Sequence, residues 1–307
     1  MPLSNLWSIY QPLIGWTIAG WLLGRWLPRS APAHLGKLLF WVGVPLGILA
    51  FLRHAEVSFS LWVAPLVAWV TVLLGLAVAS YLLRSLPLAK TWGERTRGSF
   101  LLASMVGNTG YIGFPVALGL VGPAYFAWAL FYDLLGSTPA AYGLGVTLAA
   151  RFGNKEAYSL WQSLQVLVKN PALWSFGVGL WGRNVPLPAI VESGLHQFAW
   201  SVISLSLVLV GMRLSHLSSF KSIRPALLCV AIKMVLLPLV LGTLLKWVGI
   251  SGMVHRVLLL QMAMPPAFAT LVLSEAYELD QELAVTALIT GSTGLLLTLP
   301  LWLWLFG

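Results

Sequence analysis

Apolar residues run through this chain in long blocks separated by short polar turns. A helix needs about 20 apolar residues to cross the hydrocarbon core of a bilayer. On that measure the sequence predicts ten spans, near 6–24, 36–52, 61–83, 98–121, 124–149, 161–181, 190–212, 223–245, 254–275 and 282–306. Breaker-rich turns punctuate them, such as Pro28-Arg29-Ser30-Ala31-Pro32 and Asn184-Val185-Pro186-Leu187-Pro188. The longest connections, 84–97 and 150–160, are short, so no appended soluble domain is expected. The expected fold class is an all-α membrane protein.

Two blocks are interrupted. One contains Gly107-Asn108-Thr109-Gly110-Tyr111-Ile112-Gly113-Phe114-Pro115, the other Met264-Pro265-Pro266-Ala267-Phe268-Ala269-Thr270. A helix broken in lipid exposes backbone N–H and C=O groups, which is tolerable only where protein or a watery cavity receives them. Paired interruptions at corresponding places in two halves mark the binding site of a secondary transporter.

The halves align at an offset near 159. Gln11-Pro12 falls on Asn170-Pro171, Gly20 on Gly179, Leu52-Arg53 on Met212-Arg213 and Pro65 on Pro225. Arg97 falls on Arg256, and Gly136-Ser137-Thr138 on Gly291-Ser292-Thr293. Five spans per repeat is an odd number, so the second repeat inserts upside down. The chain then divides into a first five-helix repeat, 1–153, and an inverted second one, 154–307. Spans 1, 2, 6 and 7 are expected as a scaffold that could dimerise, and spans 3, 4, 5, 8, 9 and 10 as the transport core.

Composition supports the membrane class: 59% of the 307 residues are hydrophobic and 9% charged, against roughly 25% charged in soluble domains. The net charge of +9 is read as orientation rather than as nucleic-acid binding, since no polar domain carries a basic face. Loops after spans one, three, five and seven hold Arg25, Arg29, Lys37, Arg84, Lys90, Arg95, Arg97, Arg151, Lys155, Arg213, Lys221 and Arg224. The opposite side holds Arg53, Arg183, Lys246 and Arg256. The excess places the odd-numbered loops in the cytoplasm and both termini outside, in a multi-pass protein of the plasma membrane. The N-terminus lacks a basic n-region and reads as an uncleaved first span. The lone Cys229 predicts neither a disulfide nor a metal site.

The run Asn108–Pro115, with Asn170-Pro171, Gly211-Met212-Arg213-Leu214, Lys233, Pro238, Gln261-Met262-Ala263-Met264-Pro265-Pro266-Ala267, Glu275–Asp280 and Leu299-Pro300, resembles the auxin efflux carrier family over essentially the whole chain. The resemblance implies a ten-helix fold like that of bile-acid symporters and sodium/proton antiporters, with helices 4 and 9 crossing as unwound segments. It implies transport of small organic anions, such as auxins, malate or malonate. The chain lacks the long cytoplasmic loop that the plant carriers of the family have after the fifth span. It also carries Ala269 and Thr270 where an Asn often follows the ninth-helix proline.

Unwound helices expose N-terminal N–H groups that suit a carboxylate. The candidate binding set is Asn108, Thr109, Gly110, Tyr111, Pro115, Ser137, Thr138, Pro265, Pro266, Ala267, Phe268, Thr270, Ser292 and Thr293. Asn108 supplies amide donors and an acceptor, and Tyr111 and Phe268 an apolar wall. For the glycines and hydroxyls, packing between membrane helices is the competing explanation. Asp133 and Lys233 are charges within spans, read either as a salt bridge locking helices or as a coupling site. Lys169 is expected to snorkel, and the histidines to be solvated or capping. No metal, cofactor or enzymatic constellation is expected. A lone Asp133 argues against a pure cation exchanger, and no sustained polar face argues for a channel. A sodium-coupled bile-acid or bicarbonate-type symporter is the alternative. The orientation predicts that a reporter active only in the cytoplasm is silent when fused after Gly307 and active when inserted after Asn154. The reverse pattern overturns it.

Overall fold

The computed structural model of the protein describes residues 3–153, 165, 168–216 and 222–307. The start of the sixth expected span and the cations Lys155 and Lys221 lie outside the described residues. The described chain is helical: α1 (Leu3–Trp26), α2 (Ala31–Leu52), α3 (Phe59–Ser85), α4 (Glu94–Met105), α5 (Thr109–Val121), α6 (126–152), α7 (Pro171–Gly182), α8 (Ala189–Ser215), α9 (Ile223–Trp247), α10 (Gly252–Met262), α11 (Phe268–Ala276) and α12 (Gln281–Phe306). Five of these, α2, α3, α8, α9 and α12, are long and apolar enough to cross a membrane on their own. The expected spans 98–121 and 254–275 are instead each divided, into α4 with α5 and α10 with α11.

Prolines shape the helices in a recurring way. Among the described residues wide π-helical turns occupy Leu39–Gly43, Thr109–Gly113, Asp133–Ser137, Ala141–Gly145 and Ala231–Leu236. All but Ala141–Gly145 end two residues before a proline: Pro45, Pro115, Pro139 and Pro238. A proline inside a helix has no N–H to donate and its ring pushes on the carbonyl four residues back, so the preceding turn widens. That carbonyl then needs another donor, because no water is available in lipid. Two are supplied by tryptophans on neighbouring helices. Trp302 Nε1 donates to the carbonyl of Met234, four residues before Pro238, at 3.0 Å. Trp69 Nε1 donates to that of Leu135, four before Pro139, at 3.2 Å.

Two packing groups result. In one, α1 lies along α8, and α2 contacts both α7 and α8. Gly20 and Gly211 let α1 and α8 approach closely: a Cβ at Gly20 would meet the backbone of Val208, and one at Gly211 the backbone of Thr17 and Trp21. In the other group, α4 packs on α3, α6 and α12, while α9 packs on α10 and α12 and α10 on α6. The bulkiest fully buried side chains, Trp302, Tyr132, Phe100 and Phe126, all belong to this second group.

Trp302→Phe keeps the ring but strands the Met234 carbonyl. A buried acceptor without a donor costs about 1–3 kcal/mol, so the variant should melt below the parent in detergent. Trp304→Phe, at a position 80% exposed, should melt with the parent. Equal melting of all three proteins would show that the indole bond contributes nothing.

Candidate functional site

The two interruptions meet each other. α4 stops at Met105, and Val106 takes extended geometry (φ −105°, ψ 126°). α10 stops at Met262, and Ala267 (φ −71°, ψ 146°) precedes α11. Between them Gly107 and Pro266 form an isolated antiparallel bridge. The Asn108 N–H donates to the Pro265 carbonyl at 2.7 Å and the Ala267 N–H to the Val106 carbonyl at 3.0 Å. Each broken segment thus satisfies the other. A glycine is required at the centre, since a Cβ on Gly107 would lie 2.8 Å from Lys233 Cε and 3.3 Å from the Met264 carbonyl oxygen.

Lys233 is 1% exposed and its Nζ donates to the Met262 carbonyl at 2.7 Å. Its charge therefore sits where α10 ends in unpaired carbonyls, the negative end of the helix dipole. Asp133 sits at an opposite kind of place, beside the N-terminus of α5. Thr109 Oγ1 donates to its Oδ1, and Thr138 Oγ1 lies 3.5 Å from its Oδ2. Asp133 and Lys233 do not pair with each other, against the salt bridge that was one of the two readings of these charges. The physical reason is that backbone carbonyls and threonine hydroxyls already partner the two charges, one at each end of the crossing.

Beside the crossing opens a cavity of about 400 Å³. Asn108, Thr109, Gly110, Tyr111, Ala267 and Phe268 line it from the crossing, and Pro115 from farther along α5. α6 contributes Asp133, Ser137 and Thr138, and the α2–α7–α8 group faces them. The remaining sequence-expected residues lie elsewhere. Pro265 and Pro266 pack against Gly291, where a Cβ would come within 2.6 Å of Pro266 Cδ. Thr270 is buried and turns its hydroxyl back to the Ala267 carbonyl at 2.7 Å. Ser292 and Thr293 follow Gly291 around the α12 surface, away from the crossing, and line a separate apolar cavity of about 250 Å³ with residues of α1, α5 and α8. A helix turns about 100° per residue, so a glycine committed to the crossing carries the next two side chains off it. Lys169 is exposed and outside the cavity.

The bridge also revises which backbone donors remain. The N–H groups of Asn108, Thr109 and Ala267 are spent on carbonyls of the crossing itself. Those of Gly110 and Tyr111 at the head of α5, and of Phe268 and Ala269 at the head of α11, take no part in it.

Three further residues escaped the sequence reading. Arg213, grouped there with the loop cations, is half-buried in the cavity wall; its alignment with Arg53 was the available signal. Asn170 lines the cavity and caps α7, its Oδ1 accepting from the Ala172 N–H at 3.0 Å. Gln261 is 0% exposed and presses its amide on Gly113, with neither amide atom partnered among the described residues. For the last, its place at the start of the run from Gln261 to Ala267 was the available signal.

Helices of spanning length around a cavity floored by two interrupted helices support a multi-pass membrane protein. Residues 11–303 match the membrane transport protein family, and the chain belongs to it, the auxin efflux carrier family that its motifs resemble. It is 31% identical over 213 residues to an uncharacterized transporter of Methanocaldococcus jannaschii, covering 68% of each chain. It is 27% identical over 285 residues to an uncharacterized transporter of Methanothermobacter thermautotrophicus, covering 90% of this chain and 89% of that one.

Because Asp133 and Lys233 have separate partners, their neutralisations should be independent. Lys233→Met strands the Met262 carbonyl and should cost about 1–3 kcal/mol. Adding Asp133→Asn should change stability by the sum of the single effects, within about 0.5 kcal/mol. A double variant more stable than Lys233→Met by much more than Asp133→Asn alone predicts would restore the salt bridge.

Proposed function

We propose that the protein is a secondary active transporter of small organic anions, auxin-like or mono- or dicarboxylates such as malate. It works by alternating access around the crossing of the fourth and ninth of ten spans, arranged as two inverted five-helix repeats. In this reading α1, α2, α7 and α8 are the scaffold, through which two copies can associate, and the other helices are the moving core. The observation that carries it is the crossing. Two helix heads with unspent N–H groups and the Asn108 amide adjoin one cavity with apolar walls, which is the chemistry a carboxylate on a small apolar body requires. With the termini outside, the end of the cavity bearing Lys37 and Arg213 faces the cytoplasm.

Asp133 borders the same helix head and has no cationic partner among the described residues. As a carboxylate it repels a bound anion, so charge compensation at Asp133 favours substrate. That supports the coupling role over the structural one. A second reading, sodium-coupled transport of a bile acid or bicarbonate, is favoured by the oxygen cluster of Asp133, Thr109 and Thr138, since hard cations take oxygen ligands.

Uptake of labelled malate and labelled bicarbonate into liposomes, with and without sodium, separates the two. The first reading expects malate uptake that sodium does not require. In Asn108→Ala the loss of a hydrogen bond to a charged ligand should weaken affinity roughly tenfold to a hundredfold with little loss of folding. Bicarbonate uptake that requires sodium favours the second. Unchanged affinity in Asn108→Ala removes that side chain from the site.

A further inference from the structure

Arg213 lies near the end of α8, in the scaffold group, yet its guanidinium reaches the crossing. Its central carbon stands 3.5 Å from the centre of the Phe268 ring and 5.5 Å from that of Tyr111. These rings belong to the heads of α11 and α5, the two helices whose N–H groups face the cavity. Gly36 on α2 makes room for the group, since a Cβ there would come within 2.9 Å of Nη2. The cation is therefore seated from three sides by residues of the cavity wall.

Its donors are unspent. No carbonyl or carboxylate among the described residues accepts from the Arg213 guanidinium, and Asp133, which shares the cavity, is engaged by Thr109 and Thr138. Arg53, at the matching position in the other half, is the opposite case. It donates to Glu192 at 3.2 Å, to the Val185 carbonyl at 2.9 Å and to the Gly182 carbonyl at 3.4 Å. Stacking on Phe268 occupies the flat face of a guanidinium and leaves its edge, where all five N–H donors lie, available for a planar two-oxygen partner. A half-buried cation without an acceptor is costly inside a membrane protein and marks a functional position.

We infer that Arg213 is a substrate-binding and specificity-determining residue: it receives a carboxylate of the transported anion edge-on, through two parallel N–H···O bonds, while Phe268 and Tyr111 hold the fork in place. The inference rests on the organic-anion reading and deepens it by naming the cation that selects for a carboxylate. A lysine at this position would keep the charge and lose the fork, so Arg213→Lys is not conservative here.

The test uses the full-length protein, with malate as probe, read by calorimetric binding in detergent and by uptake in liposomes. Arg213→Gln should weaken malate binding roughly tenfold to a hundredfold while its melting temperature without malate stays at that of the parent. Arg213→Lys should fall between the two, and the uncharged diamide of malate should bind parent and Arg213→Gln equally poorly. Should Arg213→Gln fail to fold, Arg213→Lys retains the charge and reads the fork alone. Malate affinity unchanged in Arg213→Gln and Arg213→Lys, or lost only in step with melting temperature, overturns the inference and leaves a packing role. If Asn108→Ala weakens malate binding and Arg213→Gln does not, the carrier reading stands without this residue. If the parent binds neither malate nor any of a panel of mono- and dicarboxylates, both readings fall.

Discussion

Every polar group of the backbone that is buried in lipid has to find a partner within the protein, and this one requirement organises the molecule. An unsatisfied N–H or C=O in hydrocarbon costs several kcal/mol, comparable to a sizeable part of the stability of an ordinary domain. The chain nevertheless places many prolines inside its spans. It meets the requirement by three means. Broken segments pair with each other, as at Gly107 and Pro266. Indole N–H groups reach across to the carbonyls that prolines free, as from Trp302 to Met234 and from Trp69 to Leu135. A buried ammonium, Lys233, satisfies the carbonyl at which α10 ends.

The same accounting sets the electrostatics of the crossing. Helix ends that meet inside the protein bring their partial charges with them, positive where α5 and α11 begin and negative where α4 and α10 end. Lys233 lies at a negative end and Asp133 beside a positive one. Each formal charge therefore opposes the dipole it touches, and neither needs the other. The head of α11, which also faces the cavity, touches neither of these two charges. In the proposed reading, a cavity next to unspent N–H groups, a carboxamide and a stacked guanidinium suits negative charge, tempered by Asp133 beside the head of α5.

The interruptions were legible in the sequence because proline and glycine are conspicuous in an apolar run, and their geometry follows from local chemistry. The cavity residues from Asn108 to Tyr111 and at Ala267 and Phe268 are legible for the same reason. What escaped depends on contacts between distant segments. An attraction between Asp133 and Lys233 looked natural when only formal charges were counted, yet carbonyls and hydroxyls of the backbone and side chains were nearer partners. Arg213 was hidden by the ruler used to count spans, which closed the seventh at residue 212 and assigned the next residue to a loop. Gln261 begins the family-like run that ends at Ala267, but its burial against Gly113 without a partner among the described residues depends on a contact between distant segments.

Matched positions in the two halves differ in a consistent direction. Gly136 packs α6 on α3, near Ala68 and Pro65, and leaves Ser137 and Thr138 on the cavity; Gly291 packs α12 on Pro265 and Pro266 and turns Ser292 and Thr293 away. Asn108 presents an amide, whereas its counterpart stretch offers Ala269 and the self-bonded hydroxyl of Thr270. Arg53 is saturated by Glu192 and two carbonyls, whereas no acceptor among the described residues takes the Arg213 donors. In the proposed duplicated architecture two interrupted helices meet at one point, but a symmetric site would bind the same group twice. Polar side chains concentrated on one half's helix head, with a cation from the other half's scaffold helix closing over it, give the cavity a direction. In the proposed reading a small anion with distinct ends then sits in one orientation, its charged end toward the stacked arginine and the head of α5.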